Sequence, residues 1–316
     1  MVTFTTRTIT NLLKFSIMYY VIYGFLYLIS LLPFAILYPI SDVIYFFLYH
    51  VFGYRTKVVM GNLRIAFPEK PDDELKKIAK RTYRNLTDTF VEIIKTISMS
   101  DSTFEKRCRG DFSIISDIIK KGKNIQLHAG HQFNWEWGSL FMSKAIRDIP
   151  SFAIYMPIKN KAMEKLFLKI RQRYGTKFIK APEFREKREE IFGKRFAFFL
   201  AADQNPGNPS SAYWQHFFSK PAPFITGPEV GGIKNDTAIV FVRSRIVKRG
   251  HYVLECKLYT ENGASTGLGE ITGAYRNFLE EVIREEPYNY LWTHRRWKWE
   301  YKEEYKDQWI DNATRA

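Results

Sequence analysis

An apolar run near the start of the chain constrains its fold more than any other feature. Residues 15–54 carry one formal charge, Asp42, and the run is bracketed by Lys14 and Arg55. About 20 consecutive apolar residues are enough for a helix to cross a bilayer. We therefore interpret residues 1–54 as a membrane anchor, with a transmembrane helix over 15–34.

The second half of the run, residues 35–54, is more polar than the first. It contains Pro39, Asp42 and His50, together with tyrosines that favour the level of the lipid headgroups. We expect a helix at the membrane interface here, although a second span or a re-entrant segment is also compatible with the pattern. A cleaved signal peptide fits less well, because the apolar part exceeds the usual core of about 7–15 residues.

Composition bounds the rest of the chain. The apolar fraction of 46% and the aromatic fraction of 16% exclude a disordered protein, and two cysteines among 316 residues exclude a disulfide scaffold. The net charge is +15, from 48 Lys and Arg against 33 Asp and Glu. Such a protein attracts polyanions, so nucleic acid, anionic lipid and acidic carrier proteins are all candidate partners.

Strand and helix patterns alternate after residue 100, which predicts an α/β domain over 101–300 with a largely parallel central sheet flanked by helices. Before it, 55–100 reads as a helical connector with a helix over 73–97, and 301–316 as a charged, solvated tail. The predicted strands are 124–129, 151–156, 177–179, 195–201, 238–243 and 252–259. The predicted helices are 134–146, 159–174, 182–192, 227–234 and 268–284.

The stretch LHAGHQFNWEWGS, residues 127–139, is the first candidate for chemistry. Its apolar start predicts a strand, and Asn134 is a suitable cap for a helix that begins near Trp135. His131 then follows the strand, and Glu136 lies in the first turn of the helix. If their side chains meet, the carboxylate fixes the imidazole tautomer and leaves a general base.

Two other interpretations of this stretch stay open on spacing alone. Glu136 is also a favourable first-turn residue and His131 an ordinary loop residue. A metal site built from His128, His131 and Glu136 is a weaker alternative, because His128 belongs to the strand pattern and no further ligand cluster stands out.

Several blocks in order make the sequence similar to the bacterial lipid A biosynthesis acyltransferases, within the lysophospholipid acyltransferase superfamily. GHQFNWEWG resembles the family's His-x4-acidic block, YMPIKN its Tyr-Arg-Pro segment, and KIRQRYG the arginine cluster downstream. AADQNPG resembles the Asp-Gln block, and YLWTHRRWK the Trp-x-His-Arg-Arg signature. GNLRIAFPE and HFFSKPAPFITGP also fit, so the resemblance covers about residues 59–298. Met156 departs from it, because the family usually has arginine there.

The resemblance implies a glycerolipid acyltransferase-like fold and assigns roles to residues. It makes His131 the general base and Glu136 the carboxylate that orients it. Substrate-binding residues are expected at Asn134, Tyr155, Pro157, Lys159, Arg171, Arg173, Asp203 and Gln204. It implies no metal, no cofactor and no covalent intermediate. Thr226 to Pro228 reads as a helix start, and His294, Arg295 and Arg296 receive no role.

The function implied is transfer of a fatty acyl chain from acyl carrier protein, or from coenzyme A, to a hydroxyl of a lipid A precursor. The partners expected are the acidic carrier, an anionic glycolipid acceptor and the membrane, without nucleic acid. The localisation implied is the inner membrane, with the catalytic domain facing the cytoplasm. One alternative is an acyltransferase that acts on another lipid, such as a lysophospholipid, an aminolipid or a glycosyl lipid. A second is a basic membrane protein without catalytic activity that binds nucleic acid or anionic lipid.

Overall fold

The computed structural model of the protein describes residues 6–311, with the burial of side chains given from residue 17 onward. The parts of the predicted anchor and tail at 1–5 and 312–316 lie outside the described residues. The strands are β1 Cys108–Gly110, β2 Ile125–Ala129, β3 Ser151–Tyr155, β4 Lys177–Lys180, β5 Ala197–Ala201, β6 Ala212–Phe217, β7 Lys220–Ile225, β8 Ala238–Lys248 and β9 His251–Thr260.

Among residues 6–311, five α-helices come before the first strand in the chain, and the others lie between the strands or after them. The α-helices are α1 Thr6–Leu31, α2 Phe34–Tyr45, α3 Thr56–Ala66, α4 Asp72–Lys95, α5 Asp101–Arg107, α6 Ser113–Lys120, α7 Trp135–Ala145, α8 Lys161–Arg171, α9 Phe184–Phe192, α10 Gly227–Lys234 and α11 Glu270–Glu285. A π-helical turn, Phe46–Val51, continues α2.

Seven strands form the central sheet, in the order β1-β9-β8-β2-β5-β3-β4. Every neighbouring pair in it is parallel except β8 and β9, which form an antiparallel hairpin. The prediction of a largely parallel sheet flanked by helices is therefore confirmed. The loops that follow β2, β3 and β5 lie together at the edge formed by the carboxyl ends of these strands. Ligands bind at this edge in open α/β sheets.

A separate hairpin of β6 and β7 was not predicted from the sequence. Pro221 and Pro223 lie within its second strand, and proline removes a donor from a sheet ladder. The hairpin tolerates them because it has only two strands. The segment after 301 also differs from the predicted solvated tail, because Tyr305 stacks on Trp214 at 5.1 Å and Tyr305 and Ile310 are buried.

The apolar run forms two helices that meet at Pro33. Among the described residues, the helix that is long and apolar enough to cross a membrane is Phe34–Val51, and the apolar part of α1, Ile17–Leu31, is shorter. The assignment of 15–34 as the crossing helix and of 35–54 as an interfacial helix stays a prediction, with 34–51 as a possible span. Both helices expose large apolar side chains, among them Val21, Phe25, Leu28, Val43, Phe46 and Val51.

The opposite face of α2 is bonded to the rest of the protein. Tyr38 donates to Glu92 at 3.1 Å, Ser41 donates to Asp88 at 2.7 Å, and Asp42 accepts from Arg249 at 2.8 Å. These three positions lie on one side of the helix. The helix therefore has a polar side against the body and an apolar side away from it.

Glu92, in the last turn of α4, is fully buried and is hydrogen-bonded to three other parts of the fold. Its carboxylate accepts from Tyr38 of α2, from the Asn134 amide at 3.0 Å and from the Tyr252 hydroxyl of β9 at 2.6 Å. Burial raises the pKa of Glu92 to about 7, against the effect of these donors. Its carboxyl thus holds its proton more tightly in the folded than in the unfolded chain.

Glu92→Gln should remove a pH-dependent part of the stability. Because the pKa of Glu92 is raised on folding, its contribution falls as the pH rises from about 4.5 to about 7. The melting temperature of the wild type should therefore drop more between pH 5 and pH 8 than that of Glu92→Gln. Glu69→Gln, which removes an exposed carboxylate, is the control. Equal pH dependence in all three proteins would contradict the buried carboxyl as its source.

Candidate active site

His131 and Asp203 occupy equivalent positions on neighbouring strands. β2 and β5 are parallel partners in register, with Ala129 opposite Ala201. His131 and Asp203 each follow these paired residues by two positions. Since the carboxyl ends of parallel strands lie at the same edge of a sheet, the two side chains come together.

The imidazole of His131 is bonded to Asp203. Nδ1 lies 2.7 Å from one carboxylate oxygen, and the backbone N–H of His131 donates to the other at 2.9 Å. Asp203 is buried, and the hydroxyl of Tyr290 also donates to it. A backbone and two side-chain donors thus hold the carboxylate in one orientation.

Burial of His131 lowers its pKa, but the charge of Asp203 and the bond to it outweigh this effect. The pKa of His131 is therefore raised above its ordinary 6.5, and the charge of Glu136 acts in the same direction. Conversely, the pKa of Asp203 is lowered despite its burial, because of the nearby His131. The pair combines a titratable base with a permanent anion.

Glu136 does not take the place predicted for it. Its carboxylate accepts from Arg171, with Nε at 2.8 Å and a second bond from Nη2, and from the indole of Trp135 at 3.1 Å. The bidentate match to a guanidinium turns Glu136 toward α8. The hydrogen bond expected between His131 and Glu136 is thus replaced by the one between His131 and Asp203, which sequence spacing alone did not indicate.

Asn134 caps α7 as predicted. Its side-chain oxygen accepts from the backbone N–H groups of Glu136 and Trp137, each at 3.1 Å, and its amide donates to Glu92. Asn134 is fully buried with these partners. The expected contact with substrate finds no support in this placement.

Two cavities meet at His131. The inner cavity, of about 160 Å³, lies between α7 and the sheet and is walled by Gly138, Met142, Ala153, Phe199, Val242 and Leu254. The outer cavity, of about 580 Å³, is walled by Met156, Ile158, Phe184, Phe192, Ile225 and Pro228. Both are lined by His131, Tyr155 and Arg171. The candidate base therefore faces two largely apolar spaces at their junction.

The remaining predicted site residues divide between the cavities and the surface. Tyr155 and Arg171 line both cavities, and Gln204 lines the outer one. Lys159 is exposed, and Pro157, half-buried, is next to the lining residue Ile158.

Arg173 lies apart from the cavities. It donates to the carbonyls of Thr96 and Met99, at 3.0 and 2.7 Å, and to Asp101 at 2.7 Å. It thus ties the residues after α8 to the start of α5, and its contact with substrate stays a prediction.

His128 lies outside the site, as the strand pattern indicates. It is buried on β2 within 2.8 Å of the side-chain amide of Gln126, and burial lowers its pKa to about 3, so the ring is neutral. No group of three His, Cys, Asp or Glu side chains that could hold a metal ion occurs between residues 6 and 311. The metal interpretation therefore has no support in the described part of the chain.

The Trp-x-His-Arg-Arg block lies close to Asp203. The amide of Asn62 on α3 donates to the carbonyls of Trp292 and His294, at 2.8 and 2.7 Å. Burial lowers the pKa of His294 to about 4 although the charge of Asp203 raises it. Arg296 is fully buried against the rings of Phe217 and Phe224. This block thus supports the site from the side of α3 and the β6–β7 hairpin.

Comparison with known proteins identifies the family of this chain. The model of the family described as bacterial lipid A biosynthesis acyltransferase matches residues 7–299. The chain is also similar to a lipid A biosynthesis palmitoleoyltransferase of Escherichia coli (strain K12), with 25% identity over 77% of this chain and 79% of the relative. A lipid A biosynthesis acyltransferase of Shigella flexneri matches with the same identity and coverage. The chain therefore belongs to the bacterial lipid A biosynthesis acyltransferase family and is an O-acyltransferase.

Proposed function

We propose that this acyltransferase moves a fatty acyl chain from a thioester donor to a hydroxyl of a lipid A precursor, with His131 as general base. The observation that carries the proposal is the position of His131, at the junction of two apolar cavities with Nδ1 held by the buried Asp203. The similar proteins are named as enzymes of lipid A biosynthesis, which supports this class of acceptor. The donor is acyl carrier protein or coenzyme A.

The proposed chemistry uses the nitrogen that Asp203 leaves free. With the proton of His131 on Nδ1 and donated to Asp203, Nε2 accepts the proton of the acceptor hydroxyl. The hydroxyl oxygen then attacks the thioester carbonyl, the carbon–sulfur bond breaks, and the thiolate takes the proton back from Nε2. The products are the ester and the free thiol, and no enzyme-bound acyl group is required.

Arg171 is proposed to bind an anionic oxygen of one substrate. Glu136 engages its Nε and Nη2, which fixes the guanidinium at the wall shared by the two cavities. Nη1 makes no hydrogen bond with the described residues and is the group available for substrate. In this proposal Glu136 positions Arg171 rather than His131.

Membrane association, at the inner membrane with the catalytic domain in the cytoplasm, is part of the proposal. The apolar helix over 34–51 and the exposed apolar side of α1 support association with a membrane. Arg55, Lys57 and Arg64 follow the apolar run, and basic residues after such a run favour the cytoplasmic side. Acyl donors are also made there.

Replacement of His131 by alanine should abolish acyl transfer. Loss of a general base costs roughly 10²- to 10⁴-fold in rate, and the melting temperature and membrane association should stay near those of the wild type. His251→Ala, at a partly exposed histidine of β9, is the control. The assay follows release of free thiol and formation of acylated lipid by mass spectrometry. Turnover retained in purified His131→Ala would overturn the mechanism.

The pH dependence should separate Asp203 from Glu136. A neutral His131 is required, so kcat/KM should rise with pH and level off above an apparent pKa higher than the ordinary 6.5. Asp203→Asn removes the anion that raises this pKa, so the rising limb should move to lower pH while the rate falls roughly 10²- to 10⁴-fold.

Glu136→Gln is the matched comparison for Asp203→Asn, because it neutralises the other carboxylate near His131. It leaves the bond between His131 and Asp203 in place, so the rising part of its kcat/KM profile should move less along the pH axis. Its KM should change, because Glu136 holds the guanidinium of Arg171. A larger shift of the kcat/KM profile along the pH axis in Glu136→Gln than in Asp203→Asn would show that Glu136, and not Asp203, orients His131.

The acceptor can be identified in cells. Deletion of the gene should leave lipid A one acyl chain short, and purified enzyme with thioesters of several chain lengths should restore that chain on the isolated precursor. Mass spectrometry of total lipids reports which lipid changes. If lipid A keeps its full number of chains while another lipid loses one, the acceptor proposed here is wrong.

A further inference from the structure

A second concave surface lies between the apolar helix and the catalytic body. This basic groove has a volume of about 870 Å³ and is bounded by Tyr45, Phe46 and His50 on one side, by one face of α4 and by the turn between β8 and β9. None of its lining residues lines either cavity at His131. The groove is thus a surface distinct from the candidate active site.

Cations from two separate elements converge on the basic groove. α4 contributes Lys77, Lys80, Arg81 and Arg84, which are spaced to lie on one face of the helix, and the β8–β9 turn contributes Lys248 and Arg249. The carboxylates in the lining are Asp42 and Asp88. Both are bonded to Arg249, at 2.8 and 2.7 Å, so they offset the charge of that one residue.

The other five cations have no carboxylate partner among residues 6–311. The guanidinium of Arg81 lies over the ring of Tyr288 at 3.3 Å, and that of Arg84 over the ring of Tyr45 at 5.0 Å. These contacts hold the guanidinium groups without neutralising them. Lys77, Lys80 and Lys248 are exposed at the surface. With six cations and two carboxylates in its lining, the basic groove carries a net charge of about +4.

An exposed apolar surface borders the same groove. Phe46 is 53% exposed on one wall, and Val247 is 66% exposed at the hairpin turn. Val43 and Phe47 extend this apolar surface along the helix, at 57% and 47% exposure. A ligand that binds both surfaces has a phosphate-bearing headgroup that contacts the cations and hydrocarbon chains that pack on the exposed apolar side chains of the helix.

We propose that the basic groove binds the headgroup of an anionic phospholipid, with the acyl chains along the exposed side of the helix over 34–51. A polyanion without acyl chains would leave the apolar border without a partner, and a zwitterionic lipid would leave the net positive charge of the groove unneutralised. This site goes beyond the proposed acyl transfer, because the bound phospholipid is neither donor nor acceptor.

Retention of lipid in detergent tests the site without a bilayer. Purified protein in zwitterionic detergent, incubated with phosphatidylglycerol or phosphatidylcholine, should retain phosphatidylglycerol in native mass spectrometry. Lys77→Gln/Lys80→Gln/Lys248→Gln should lose that retention. Arg185→Gln/Arg188→Gln/Lys194→Gln removes the same charge from exposed positions in and after α9 and should keep it. Inorganic phosphate at equal concentration should not displace the lipid, since it lacks the apolar part.

Vesicles provide a second measurement. Each lysine or arginine near an anionic surface contributes roughly five-fold in affinity, so the wild type should prefer phosphatidylglycerol vesicles over phosphatidylcholine vesicles by 10-fold or more. The groove variant should lose most of this preference while its acyl transfer in detergent stays at the wild-type level. Equal retention of both lipids by the wild type, or equal losses in the groove and α9 variants, would overturn the proposal. Both readouts are independent of whether acyl transfer occurs.

Discussion

The carboxylate of Glu92 is the contact on which the arrangement of the protein depends. It binds the apolar helix through Tyr38, α7 through the cap residue Asn134, and the sheet through Tyr252. A buried carboxyl without such donors would cost several kcal/mol, so the three elements and the acid stabilise one another. Because Asn134 also fixes the first turn of α7, the same carboxylate links the apolar helix to the loop that carries His131.

The site shows how an α/β sheet brings distant residues together. His131 and Asp203 are 72 positions apart in the chain, yet each stands two residues beyond one member of the Ala129–Ala201 pair. The adjacency of β2 and β5, rather than a local turn, therefore selects the carboxylate that orients the histidine. Glu136, although near in sequence, is directed by the helix toward Arg171. The two acids near the imidazole thus have separate partners.

Much of the fold could be predicted from sequence because its elements have clear periodicity. The predicted helix over 227–234 matches α10, and the strand over 252–259 matches β9 within one residue at each end. The missed hairpin contains prolines that argue against a strand, and the antiparallel pairing of β8 with β9 depends on a tight turn at Gly250, where φ is +69°. Asp203 was predicted to contact substrate. Its pairing with His131 could not be predicted, because it depends on which strands are neighbours in the sheet.

The polar side of the apolar helix has a mechanical consequence. Tyr38, Ser41 and Asp42 are bonded to α4 and to the β8–β9 turn, and moving them into hydrocarbon without partners would cost several kcal/mol for each group. The helix and the body consequently move as one rigid piece, unlike an anchor on a flexible tether. If the apolar helix lies at a membrane, as proposed, the distance between the cavities at His131 and the lipid surface is therefore set by the fold itself and not by the length of a linker.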